Sequence, residues 1–265
     1  MVGHSIHIKI ILAALICIIP SLLWAGESVD EKVYEIVGSE ILSSAHEDQM
    51  VEDGLSGDVR IGLGGAILSR DTFKFGEYTG IDGDEAYAVG GFDLGYFRNS
   101  YYMDLIGENL GQDHRKIFLE TGKIDSYKAF VEFDQIPHQE STANRTPFDG
   151  VGGATLSLKS GFAQAGTFTS LPLATSEDVD LELDRSTATF GFTKSFGKNE
   201  LGLTYKRIEK NGLNSLAGVV GNHPANPRSM ILPASVDQVV NELTASFSHQ
   251  TDDSNVELQY FLSLL

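Results

Sequence analysis

From Gly57 onward, apolar and polar residues alternate one for one in stretches of about ten residues, separated by turn formers. The clearest case is a hairpin. Ala188, Phe190 and Phe192 share one face, with Thr189, Gly191 and Thr193 on the other. Gly197-Lys198-Asn199 makes a short turn, after which Leu201, Leu203 and Tyr205 alternate with Gly202, Thr204 and Lys206. The end of the chain repeats the design. Leu243, Ala245 and Phe247 alternate with Thr244, Ser246 and Ser248, Asp252-Asp253-Ser254-Asn255 turns, and Val256, Leu258, Tyr260 and Leu262 share a face. Similar runs begin near Val59, Tyr87, Tyr101, Arg115, Tyr127 and Val151. The pattern predicts roughly ten strands and an all-β fold.

Period-two alternation fits a soluble β-sandwich as well as a transmembrane antiparallel β-barrel. Several strands approach the ~9–11 residues needed to cross a bilayer at a tilt. Their polar faces are small and hydrated (Gly, Thr, Ser), as a wet lumen permits. Polar stretches at 135–149 and 209–235 are read as long loops that alternate with tight turns, as in a barrel with one short-turn and one long-loop rim. These features favour the barrel.

The start of the chain indicates export. Lys9, with His4 and His7 nearby, precedes an apolar run from Ile10 to Trp24, and Ala25 offers a small residue for cleavage. Residues 1–25 are therefore expected to be a signal peptide. Residues 26–56 are expected to be a periplasmic segment, acidic and polar, with a weak helical spacing at Val33, Val37 and Ile41, and residues 57–265 the barrel. The single cysteine, Cys17, lies in the leader, so the mature chain would have no disulfide, no cysteine-ligated metal and no C-x-x-C-H haem attachment site. A net charge of −18 argues against nucleic acid as a partner. No apolar run after Ala25 is long enough for a helical span, so entry into a membrane would be by strands.

Residues 76–158 carry a more specific signal. Gly76-Glu-Tyr78-Thr-Gly80-Ile is followed by Ala88–Leu94, by Gly107-Glu-Asn109-Leu-Gly111-Gln-Asp113-His-Arg115, and by Phe133-Asp-Gln-Ile-Pro137-His138. Thr146-Pro-Phe148 and Thr155–Leu158 come next, and Leu232-Pro-Ala-Ser-Val-Asp-Gln238 leads into the last two strands. This order resembles the MtrB/PioB family of decahaem-associated outer-membrane proteins, with its Gly-Glu-Tyr-x-Gly start, its Asn-Leu-Gly-x-Asp-x-Arg turn and a strand ending in Asp or Glu before x-x-Pro-His. The resemblance spans about residues 57–263.

It implies a non-catalytic outer-membrane barrel that sheathes a periplasmic multihaem c-type cytochrome in an extracellular electron-transfer conduit. The barrel would bind no cofactor itself, because haem is carried by the partner cytochrome, and its other partner would be outer-membrane lipid. The alternative is a porin-like solute channel. Family barrels have many more strands, and some carry a Cys-x-x-Cys near the mature N-terminus that is absent here. The chain also ends in Leu264-Leu265 without a terminal aromatic. The expectation is a truncated or fragmentary member, part of a larger barrel.

The residues matching the family motifs are Gly76, Tyr78, Gly80, Gly107, Asn109, Gly111, Asp113, Arg115 and Pro137. They are expected to be structural. Gly107 and Gly111 would supply turn geometry, while Asn109 and Asp113 cap their own backbone. His114 and His138 lack partners at metal-ligand spacing. The acids of Glu177–Asp184 lack the spacing of a calcium loop, and a solvated strand edge is the better reading. Asn144-Arg-Thr146 fits a glycosylation acceptor, which carries little weight in a bacterial chain. No G-x-S-x-G or similar nucleophile setting is present.

Overall fold

A computed structural model of the chain describes residues 6–12, 53–66, 73–81, 85–160, 176–220 and 228–265. The helical spacing at Val33–Ile41, and most of the expected leader and periplasmic segment, lie outside the described residues. The strands are β1 (Ile6–Leu12), β2 (Gly54–Ala66), β3 (Glu85–Arg98), β4 (Tyr101–Leu110), β5 (Arg115–Lys123), β6 (Tyr127–Thr146), β7 (Phe148–Asp149), β8 (Ser157–Leu158), β9 (Glu177–Phe196), β10 (Asn199–Val220), β11 (Arg228–Gln250) and β12 (Asn255–Leu264). One helical turn, α1, spans Phe73–Gly76. Ten strands form one sheet in the order β1-β2-β3-β4-β5-β6-β9-β10-β11-β12, and β7 pairs with β8 in a separate hairpin.

From β2 to β12 every pairing in the large sheet is antiparallel, and apart from the step over β7 and β8 each strand neighbours the next in sequence. This is an up-and-down meander, open at β12. β1 falls within the expected leader and runs parallel to β2. Its removal on export would leave the outer edge of β2 unpaired.

The connections divide cleanly between the two ends of the sheet. At one end β3–β4 turn through Asn99-Ser100, β5–β6 through residues 124–126, β9–β10 through Gly197-Lys198 and β11–β12 through residues 251–254. Asn99 and Ser100 both have positive φ (50° and 70°), matching the twist that two-residue hairpin turns require. The end of β2 and start of β3, the end of β6 and start of β9, and the end of β10 and start of β11 lie at the opposite end, the loop rim, together with the short β4–β5 turn.

Two expectations are corrected. Within the stretches 135–149 and 209–235, residues 135–146, 209–220 and 228–235 are strand and not loop: β6 continues to Thr146, β10 to Val220, and β11 begins at Arg228. The stretch Leu232–Gln238 accordingly lies inside β11 and does not lead into it. These strands, of 20 to 23 residues, exceed what a bilayer needs, and their outer halves stand beyond any apolar band. With water on both faces nothing selects for alternation, so paired backbone there reads as loop. The strand expected near Val151 is also absent. Val151 lies in the turn between β7 and β8.

The same reasoning explains where side chains are buried. Ala66, Ile81, Leu181 and Leu183 are the buried apolar residues among those described, and Pro137 and Pro147 are fully enclosed. They gather at the loop rim, where water surrounds the sheet. The rest of the sheet has no packed core and must bury its apolar face elsewhere.

Phe190 and Thr189 are adjacent on β9 but lie on opposite faces. Phe190→Arg should cost about 2–4 kcal/mol of folding stability in phospholipid vesicles, and Thr189→Arg less than about 1 kcal/mol. Guanidinium titrations of the vesicle-inserted protein would measure both.

Candidate functional site: the wall and its loop rim

Register joins the apolar positions of successive strands into one face. Leu105 of β4 pairs with Leu119 of β5, Leu119 with Val131 of β6, and Val131 with Phe190 of β9. The row continues through Tyr205 of β10 and Leu243 of β11 to Leu262 of β12. The neighbouring row runs Met103, Thr121, Ala129, Phe192, Leu203, Ala245 and Tyr260. This face is the more exposed of the two: Val131 is 49% exposed, Phe190 43% and Leu258 64%. On β9 the intervening Thr187 and Gly191 are buried, and on β10 Gly202, Thr204 and Lys206 are half-buried. A soluble sheet does the reverse. An apolar face left exposed or half-exposed along the large sheet from β4 to β12 is a surface for hydrocarbon.

The opposite face is polar and tightly fitted. Lys116 pairs with Glu132 at 3.0 Å, and the Tyr102 hydroxyl donates to Glu120 at 3.0 Å. Aromatic rings here lie against glycines. A Cβ on Gly191 would run into the Phe130 ring, and one on Gly122 would come within 2.9 Å of the Tyr102 ring. At these positions glycine makes room for a neighbouring ring.

At the loop rim the motif residues converge from three separate segments. β5 stops at Arg115, whose partner on β6 is Gln135. Beyond that point the segment 76–81 takes over as neighbour of β6: the Gln139 N–H donates to the Glu77 carbonyl at 2.9 Å. Pro137 lies between, where its missing N–H would have faced the gap, so it costs no ladder bond. Tyr78 stacks on His138 (centroids 5.1 Å apart, planes at 13°), and Glu77 lies 3.6 Å from the His138 Nε2. Lys74 donates to Glu77 at 2.8 Å and holds that carboxyl below its usual range, with a smaller contribution from His138.

The β4–β5 turn closes the cluster from the third side. Asn109 adopts a left-handed conformation (φ 53°), its carbonyl accepts the Gln112 N–H at 3.0 Å, and Gly111 follows with φ 99°. Asn tolerates this region better than other non-glycine residues. Asp113 is set against the neighbouring segment: a Cβ on Gly80, itself at φ 76°, would come within 2.5 Å of the Asp113 Oδ2. His114 beside it hydrogen-bonds the Thr79 backbone, and burial pushes its imidazole below the usual range against the pull of that bond, Asp113 and Asp134. Arg115 donates to Gln135 at 3.0 Å.

The wall thus has one face suited to lipid and one to water, and its sequence relationships agree. The description of the outer membrane beta-barrel porin family MtrB/PioB matches residues 68–265. The chain belongs to the MtrB/PioB family. It is an outer-membrane protein and forms part of an antiparallel transmembrane β-barrel. Over 214 residues it is 26% identical to "Outer membrane protein MtrB" of Shewanella baltica (strain OS185), an alignment covering 80% of this chain and 30% of that relative. The chain therefore spans under a third of the length of the curated relative it matches.

In this MtrB/PioB chain the structure brings Gly76, Tyr78, Gly80, Asp113 and Pro137 into one cluster, with Asn109, Gly111 and Arg115 in the adjoining turn. Gly107 stands apart. It lies on the apolar face, where a Cβ would meet the Phe92 ring. Glu77, His138 and Gln139 complete the cluster but were not singled out together, although Glu77 and His138 stand within the quoted motifs. The acids of Glu177–Asp184 lie along β9, two of them engaged by Lys159 (Glu177) and Arg145 (Asp178, 3.0 Å). Among the described residues no group of three His, Cys, Asp or Glu is placed to hold a metal ion.

Gly80→Ala should loosen the 76–81 segment by about 1–3 kcal/mol, seen as faster amide exchange at Gln139. Gly90→Ala, whose Cβ has no neighbour nearer than 3.6 Å, should leave that exchange unchanged. Acid should act in the same direction. Because the docked His114 resists protonation, its contribution is present above about pH 6.5 and is lost as pH falls below it. Exchange at Gln139, corrected for intrinsic rate, should rise between neutral pH and pH ~5.5 in the native chain and change little in His114→Asn.

Proposed function

We propose that this chain supplies part of the wall of an outer-membrane barrel that sheathes a multihaem c-type cytochrome, insulating it from lipid while electrons cross the membrane. The observation that carries this reading is the two-faced sheet: apolar and exposed outside, hydrated and charged inside. Hydrocarbon cannot host a charged haem protein, whereas a wall with every backbone group paired can separate the two. The wall contributes no redox chemistry, since the mature sequence carries no haem attachment motif. Electrons would pass between the partner's cofactors.

Strands β2 to β12 alone would close only around side chains or a small ligand. Enclosing a folded cytochrome therefore requires further strands beside β12 and β2. The family relationship supports both the barrel and its place in the outer membrane, and the family's porin description suits a second reading, a solute channel lined by the same hydrated face.

An affinity pull-down of the tagged protein from detergent-extracted outer membranes, stained for covalent haem, separates them. The sheath reading expects a haem-positive partner in a fixed ratio to the chain. A barrel recovered without haem that conducts ions in planar bilayers would replace it with the channel.

A further inference from the structure

The turn-rim boundary of the apolar face carries a row of residues that the wall itself does not need. Arg98 of β3 pairs with Tyr101 of β4, Tyr101 with Lys123 of β5, Lys123 with Tyr127 of β6, and Tyr127 with Lys194 of β9. Directly paired residues project from the same face, so this is one lateral comb of alternating cation and tyrosine. Strand spacing sets consecutive cations about 10 Å apart.

The contacts within the row are specific. The Lys123 ammonium lies 5.3 Å from the Tyr101 ring centre, and that of Lys194 lies 5.8 Å from Tyr127 while donating to the Ser126 hydroxyl at 2.9 Å. Neither lysine has a carboxylate within ion-pair distance among the described residues, although Asp125 lies in the adjoining turn. Lys74, Lys116, Arg145, Lys159 and Arg207 all do. Other cations, Lys128 and Arg185 among them, also lack such a partner among the described residues, so what marks these three is their alignment in one row beside tyrosines, in a chain with 37 acidic and 19 basic residues.

Position supplies the counter-charge. The row lies where the apolar band ends and the tight turns begin, the level at which tyrosines rest among headgroups and lysines reach out of hydrocarbon. The geometry points to a binding row for anionic phospholipid headgroups at the turn rim, with phosphates seated between Arg98, Lys123 and Lys194 and acyl chains running along the apolar face beside Met103, Ala129 and Phe192. This rests on the membrane-wall fold and holds whether the barrel encloses a cytochrome or conducts solutes.

The test uses the chain with whatever co-assembles, extracted from outer membranes, delipidated in non-ionic detergent and titrated with phosphatidylglycerol or phosphatidylcholine under native mass spectrometry. Phosphatidylglycerol should bind about tenfold more tightly than phosphatidylcholine. R98Q/K123Q/K194Q should abolish the preference, and K123R/K194R should keep it. Equal binding of the two lipids, or a preference unchanged in the triple glutamine variant, overturns the proposal. Should the glutamine variant fail to assemble, K123Q alone must still lower the preference, and no change there also overturns it. Release of bound phosphatidylglycerol by millimolar inorganic phosphate would show that the row binds a phosphate ion, not a lipid. Recovery of haem in the same preparation is scored separately, so loss of the sheath reading leaves this result intact.

Discussion

Hydrocarbon offers a peptide group no hydrogen bond, and the design of this sheet follows from that constraint. Each strand of the large sheet from β3 to β11 is paired on both sides through the apolar band, and its connections are kept to the two ends. Once the backbone is satisfied by neighbours, side chains are free to specialise by face. Leu203 and Phe192 meet lipid, while Thr204 and Gly191 behind them meet water and one another. The open edges of the sheet, at β12 and on the β2 side, are where the constraint is unmet, and the wall acquires its full meaning only with further strands beside them.

The fold was legible wherever that constraint acts on the sequence. Between Ala188 and Tyr205, and again between Leu243 and Leu262, one face meets hydrocarbon and the other water, so alternation is strict and strand, turn and register could be read directly. Above the band the signal fades although the strands continue. Asn211 to Val220 pairs with β11 throughout, yet from Asn211 to Gly218 the side chains face water on both sides and carry no period. The lengths of β6, β10 and β11 were therefore hidden, and residues 135–149 and 209–235 looked like loops. A strand inferred near Val151 failed for the opposite reason: Gly150, Gly152 and Gly153 shape a tight connection, two of them at positive φ.

The candidate site shows a similar division. Motif order identified Gly76, Gly80, Asp113 and Pro137 as belonging to one family pattern, but spacing along the chain could not show that they meet. Their convergence depends on where β5 stops. Only after Arg115 leaves the edge of β6 free can Glu77 reach Gln139, Tyr78 cover His138 and Asp113 close on Gly80. Nor could the comb of Arg98, Tyr101, Lys123, Tyr127 and Lys194 be read from the sequence. It spans 97 positions of chain and exists only through four registers in succession.

The unequal strand lengths give the wall an uneven skyline. β4 and β5 end together near Leu110 and Arg115, while β6 runs on for eleven residues past Gln135, about 35 Å along the strand, and β10 and β11 rise with it. The upper margin is therefore a slope with a low sill on one side and a parapet on the other. A mouth cut at such a slant faces sideways. A body resting on this margin would meet β6, β10 and β11 before β4 and β5, so its direction of approach would be set by where the strands end.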